Sequence, residues 1–202
     1  MEKGILLPAF YMPPTSFFTQ IKQNTAAIWL EKYEHFPKQT YRNRCVIYTA
    51  NGPLNLSIPI RKGMREHTKM KDVQISYDAD WQRLHWMSLQ TAYRTSPYFE
   101  YYEETFAPFY QKKETFLFDF NQKLLIQILE LLKMPTNFMY TESYDPIPEG
   151  LKDFRTSIHP KKPTLLPSKP YCQVFEDKFG FIPNLSIIDL LCTQGPHAGA
   201  YF

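Results

Sequence analysis

The first thirty residues constrain the fold most. Ile5-Leu6-Leu7 is a short apolar run that passes into the rigid loop Pro8-Ala9-Phe10-Tyr11-Met12-Pro13-Pro14. Thr15 or Ser16 is placed to cap a helix reaching about Asn24, with Phe17, Phe18 and Ile21 on its apolar face. Ala26-Ala27-Ile28-Trp29-Leu30 then reads as a second buried strand. Strand, short helix, strand is a βαβ unit, a right-handed crossover that returns the second strand parallel to the first. The loop holding Tyr11 therefore falls at the carboxyl end of the first strand, where open α/β sheets meet ligands.

A hairpin follows. Val46–Ala50 and Leu54–Ile60 are β-prone runs around Asn51-Gly52-Pro53, and Asp72–Ser76 reads as another short strand. From Asp80 the apolar period becomes helical, through Trp81, Leu84, His85, Met87, Ser88, Thr91 and Ala92. Ser96-Pro97 reads as the cap and first turn of a helix to about Tyr110. Glu114–Met134 reads as a third helix, stopping before Pro135. Phe138–Thr141 suggests one more strand, and residues 143–170, with six prolines, a long ordered or semi-ordered connection. A last helix is expected from Asn184, capped by that side chain and carrying Asp189. The expected class is α/β, in two or three layers: a partly parallel sheet begun by the N-terminal βαβ unit, a β-hairpin, and a helical middle region. One domain is expected over residues 1–202.

Seventeen prolines against seven glycines imply fixed connections and leave little room for a glycine-rich phosphate cradle. Neither common nucleotide fingerprint occurs. Twenty-three basic against twenty acidic residues are too balanced for a surface that coats nucleic acid, and no nucleic-acid partner is expected. The basic run from Arg61 to Lys71 is a solvated loop or a mobile one that closes over an anionic substrate. Cys45, Cys172 and Cys192 are odd in number and widely spaced, indicating free thiols and a cytoplasmic setting rather than a zinc ribbon or disulfide framework. Neither HxxxH nor HExxH occurs, and no metal is expected; no apolar run reaches the length of a membrane span. The sequence specifies no cofactor and no oligomeric state.

The chemistry-bearing stretch is Tyr41-Arg42-Asn43-Arg44-Cys45. In an extended chain Arg42 and Arg44 leave one face and Asn43 the other. Paired guanidinium forks suit a carboxylate or phosphate; the plainer reading is two solvated arginines before a strand. His85, among Trp81, Trp86 and Leu89, is either a base or a packing residue. Cys45 is a buried strand thiol or a nucleophile beside Arg44. Asp189, on an apolar helix, faces solvent or is held by a partner, an arginine of the first cluster being a natural one.

Several pieces in order carry a resemblance. They are Leu7–Pro14 with Phe17 and Phe18, Tyr41–Arg44, Ala50-Asn51-Gly52-Pro53 with Ser57-Ile58-Pro59, His85 with Ala92-Tyr93 and Ser96–Phe99, and Phe181–Leu191. With them the chain resembles the WbqC-like family of bacterial proteins, often encoded with genes for O-antigen and other surface polysaccharides. Longer relatives carry a glycine-containing loop where this chain has the short, proline-rich region from about Tyr140 to Pro170. The resemblance implies a role in surface-polysaccharide modification, with acyl or aminoacyl transfer to an amino sugar as the suggested reaction. His85 would then take the proton of the attacking amine or hydroxyl. Arg42, Asn43 and Arg44, with Tyr11 and Asp189, would hold a small anionic substrate, a nucleotide sugar or acyl donor. The alternative is a non-catalytic binding or assembly protein of the same pathway, presenting Tyr98, Tyr101 and Tyr102 to a partner. A nucleotidyl-transferase-like reading of the proline-containing loop lacks an HxGH or lysine signature.

Overall fold

The computed structural model describes residues 4–24, 26–61, 67–164 and 169–202. Strand β1 (Gly4–Pro8), helix α1 (Thr15–Lys22) and strand β2 (Ala27–Glu31) form the βαβ unit, with β1 and β2 parallel in the register Gly4 to Ala27 and Pro8 to Glu31. Every residue of β1 is buried, as an inner parallel strand covered on both faces requires. The cap of α1 differs from expectation. Neither Thr15 nor Ser16 caps; Pro14 holds the cap position and Asn184, from the far end of the chain, accepts the Ser16 amide on Oδ1 at 3.0 Å.

Strands β3 (Arg44–Thr49) and β4 (Gly52–Ser57) make the hairpin, a separate antiparallel pair running from Thr49–Gly52 to Arg44–Ser57. Its turn is Ala50-Asn51, one residue earlier than the Asn-Gly signal suggests, because Gly52 takes φ 94° to close the loop. Cys45, Ile47 and Leu56 pack into the core. Asp72–Ser76 is not a strand: a 3-10 turn over Met70–Asp72 precedes isolated bridges of Gln74 to Phe116 and Ile75 to Ile60.

Helices α2 (Trp81–Tyr93), α3 (Phe99–Gln111) and α4 (Leu117–Leu131) form the helical middle. Trp81, His85, Leu89 and Ala92 face inward at spacings of three and four. Helix α3 starts after the Ser96-Pro97 pair, since Ser96 Oγ donates back to the Tyr93 carbonyl and closes α2 instead. Strand β5 (Met139–Tyr140) and strand β6 (Leu151–Asp153) complete a four-stranded parallel sheet in the order β5-β2-β1-β6. Thus the proline-rich connection supplies an edge strand. After α5 (Glu176–Phe179), helix α6 (Ile187–Gln194) begins with Ser186, not Asn184, at its cap position. One cluster of buried side chains runs from the sheet through the hairpin and helices to α6.

Candidate functional site

Charge concentrates where the parallel strands end. Glu31, the last residue of β2, is fully buried. Its Oε1 accepts the amides of Tyr33 (2.7 Å) and Glu34 (3.2 Å) and the Thr141 hydroxyl (2.9 Å), while Oε2 accepts Arg155 Nη1 at 2.9 Å. Arg155, just beyond β6, also grips Asp153 through Nε and Nη2, donates to the Asp145 carbonyl at 2.7 Å, and has the Tyr144 ring 4.9 Å from its guanidinium carbon. Arg42, 2% exposed, donates from Nε and Nη2 to the two Glu34 oxygens at 2.6 Å each, and from Nη2 to the Arg155 carbonyl at 2.9 Å. Burial raises the Glu34 pKa against the pull of Arg42, the expected competition for a desolvated pair. Asn121 Nδ2 bridges the carbonyls of Ala9 and Arg42, tying the loop after β1 into the same assembly.

The fork of Arg42 is therefore filled by Glu34 rather than open to a ligand. Asn43 donates to the Ile58 carbonyl at 2.9 Å, and the buried Nε of Arg44 has no partner among the described residues. Cys45 is fully buried, and burial pushes its thiol pKa far up, which makes it unreactive as a nucleophile.

A second arrangement joins the Tyr11 loop to α2 and α3. Tyr11 Oη lies 3.0 Å from His85 Nδ1 and 2.9 Å from Tyr110 Oη, and Tyr110 Oη lies 3.7 Å from Met12 Sδ. Burial lowers the His85 pKa to about 4, against a smaller upward effect of its hydrogen bond to the Ser57 backbone. The imidazole is uncharged at neutral pH, and Ser57 is the hairpin partner of Arg44. Tyr11 and His85 thus meet, with Arg44 one strand away. Asp189 belongs to another cluster: its Oδ2 accepts Tyr171 Oη at 2.8 Å and Gln173 Nε2 at 3.3 Å, and no arginine of the first cluster pairs with it. Burial carries its pKa up to about 6, with Tyr171, Tyr93 and Gln173 opposing. Tyr101 is exposed but Tyr102 is buried, so the proposed tyrosine surface reduces to less than the sequence suggests.

His85 lines none of the main cavities among the described residues. One of about 650 Å³ is bounded by Ile21, Ile28, Leu132 and Phe202, and one of about 490 Å³ by Leu54, Leu84, Met87 and Thr91. At the carboxyl end of the sheet an acidic hollow of about 210 Å³ includes Glu31, Asp145 and Glu149, and a narrow cleft beside α1 includes Gln20, Ser157, His159 and Lys162. Sequence reasoning misses the cleft, whose residues come from distant segments with no shared local signal. Among the described residues, no three of the His, Cys, Asp and Glu side chains are grouped to hold a metal, and no helix is long and apolar enough to cross a membrane. Lys62 to Glu66 of the basic run lie outside the described residues.

A parallel βαβ-based sheet with a hairpin and a helical middle region defines an α/β protein whose polar residues gather at the strand ends. The chain belongs to the WbqC-like protein family, whose family model matches residues 9–161. It is also similar to "Uncharacterized protein Rv1507c" of Mycobacterium tuberculosis (strain ATCC 25618 / H37Rv), with 23% identity over 227 aligned residues covering 100% of this chain and 97% of the relative. No solved structure matches the chain.

Proposed function

We propose that the chain holds an anionic small molecule, of the nucleotide-sugar or acyl-donor class, at the carboxyl end of its parallel sheet, on the α1 side and not in the acidic hollow. It would do so as a binding component of bacterial surface-glycan precursor metabolism, with the cytoplasm as the compartment that suits its free thiols. One observation carries the reading: the segments leaving β2 and β6 and the one entering β3 are fastened together by the buried Arg42–Glu34 and Arg155–Glu31 pairs, and Asn121 ties the loop after β1 to them. Buried ion pairs add little net stability over apolar packing. Their use here fits a rim that must keep one geometry, at the place where open α/β sheets take ligands. The pathway and ligand class come from the family resemblance. Of the first cluster, Arg42 serves the rim, whereas the Arg44 guanidinium makes no hydrogen bond to a described residue; its Nε is buried, which leaves its terminal nitrogens for an anion.

Acyl or aminoacyl transfer adds His85 as the base. With Nδ1 against Tyr11 and a pKa near 4, the imidazole has little basicity for that step, so binding without proton transfer at His85 is the reading the geometry favours. The test is a thermal-shift screen against nucleotide sugars, acyl carriers and amino acids, because a ligand of the native state must raise Tm. Stabilisation by a member of the first two classes, weakened in Arg44→Ala, supports the proposal; no shift with either class defeats it. Transfer activity that His85→Gln abolishes while binding persists would replace it with the enzymatic reading.

A further inference from the structure

We infer that the narrow cleft beside the start of α1 is a phosphoryl-binding subsite, built by the side chains of Ser16, Gln20, Ser157, His159, Lys162 and Asn184. The inference deepens the proposed function and rests on it for the presence of an anionic ligand at this end of the sheet. Ser16 and Gln20 are one helical turn apart on α1, Ser157 to Lys162 follow β6, and Asn184 precedes α6. No carboxylate lines the cleft.

Two polar groups there lack partners. Gln20 is only 3% exposed, lines the cleft, and its amide makes no hydrogen bond to any described residue. Ser157 Oγ is buried and likewise unpaired. An unpaired buried hydroxyl is costly and uncommon; a ligand oxygen in the cleft would satisfy Ser157 Oγ and accept from the Gln20 amide, whose polar atoms still reach solvent. The neighbours that line the cleft are committed in ways that leave each a spare donor. Asn184, held at φ 58°, spends Oδ1 on the Ser16 amide, which leaves Nδ2 as its free donor. His159 Nδ1 accepts the Lys161 amide at 3.1 Å, so the neutral ring carries its proton on Nε2. Lys162 Nζ gives one proton to the Thr156 carbonyl at 2.8 Å and keeps two. Desolvation, then Lys162, Lys161 and Arg42, hold the His159 pKa below its ordinary value, and the three cations make the potential at this spot positive.

The backbone does not supply the donors. The first amides of α1 already serve Leu185 O, Asn184 Oδ1 and Pro14 O. Recognition therefore falls to side chains, with the helix dipole adding a favourable field for an anion. The cleft volume is about 10 Å³, the space of one water-sized group. It takes one terminal oxygen of a ligand and leaves the remainder at its mouth. A phosphoryl group that puts one terminal oxygen in the cleft keeps two more acceptor oxygens at its mouth, where a carboxylate keeps one.

The test is calorimetric titration of the full chain with inorganic phosphate at fixed ionic strength, with acetate as the carboxylate arm and chloride as the control. Saturable phosphate binding is expected, roughly tenfold weaker in both Lys162→Met and Gln20→Leu, with no comparable acetate binding. Lys162 is exposed, so its substitution leaves folding intact and decides the matter if Gln20→Leu does not fold. Absence of phosphate binding, equal binding in parent and Lys162→Met, or acetate binding as tightly as phosphate overturns the inference. A nucleotide sugar or acyl donor that stabilises the parent and both variants equally keeps the proposed function and removes the cleft. Phosphate binding through Lys162 and Gln20, with no such metabolite raising Tm, keeps the cleft and removes the proposed function.

Discussion

Replacing Asp189 by asparagine should make the protein more stable at neutral pH and much more sensitive to acid. The Asp189 pKa is raised from 3.8 to about 6 by burial. For an acid raised in the folded state, the favourable contribution is complete below the unfolded value and is lost as pH rises through the folded one. That is about 3 kcal/mol, lost between pH 3.8 and about 6. His85 acts in the opposite sense. Its pKa falls from 6.5 to about 4, so its contribution is complete above pH 6.5 and is lost as pH falls toward 4, again about 3 kcal/mol. Between pH 4 and 6 the two slopes, each about 1.4 kcal/mol per pH unit, oppose one another, and the parent protein hides both. The amide introduced by Asp189→Asn keeps an acceptor oxygen for Tyr171 Oη but carries no charge. Urea unfolding followed by circular dichroism at about pH 4.5, 5.5 and 6.5 should show Asp189→Asn ahead by about 2–3 kcal/mol at the highest pH, with the gap closing toward pH 4, at equal m-values. A gap that stays constant with pH, or a variant less stable at pH 6.5, would refute the reasoning.

Arg42→Ala leaves Glu34 buried without its partner and should cost about 3–5 kcal/mol in denaturant unfolding, whereas Arg44→Ala should stay within about 1 kcal/mol of the parent. Gly195→Ala should lower Tm, since Gly195 has φ +52° and an added methyl would meet the Tyr98 ring; an unchanged Tm would mean that ring gives way freely. Under native conditions an alkylating agent should modify Cys172, which is exposed, while Cys45 and Cys192 react only after unfolding, as mass spectrometry of the peptides would show.

Local signals carry most of the fold. The βαβ unit follows from apolar runs around a capped amphipathic segment, and α2 and α4 from clean periodicity. What sequence misplaces depends on distant atoms or on one backbone angle. Asn184 caps α1 instead of α6 because the two helix starts are adjacent in space, an arrangement no window of sequence contains. The hairpin turn moves by one residue on the φ of Gly52. Strand β6 is three residues within a proline-rich stretch, too short to show a period. The site divides in the same way. The guanidinium forks are visible in sequence, but the turn that brings Glu34 onto Arg42 is not. Tyr11 meets His85 from 74 residues away in sequence, and the cleft donors are gathered from segments that share no motif.

The strand order has a consequence for how the polypeptide matures on the ribosome. β1 is hydrogen-bonded on one side to β2, which emerges soon after it, and on the other to β6, whose pairing of Gly4 with Leu151 waits for the proline-rich stretch to be translated. Throughout that interval one flank of the nascent sheet is an open template for a stray strand. Translation stalled before β6 has left the ribosome should therefore yield aggregation-prone chains.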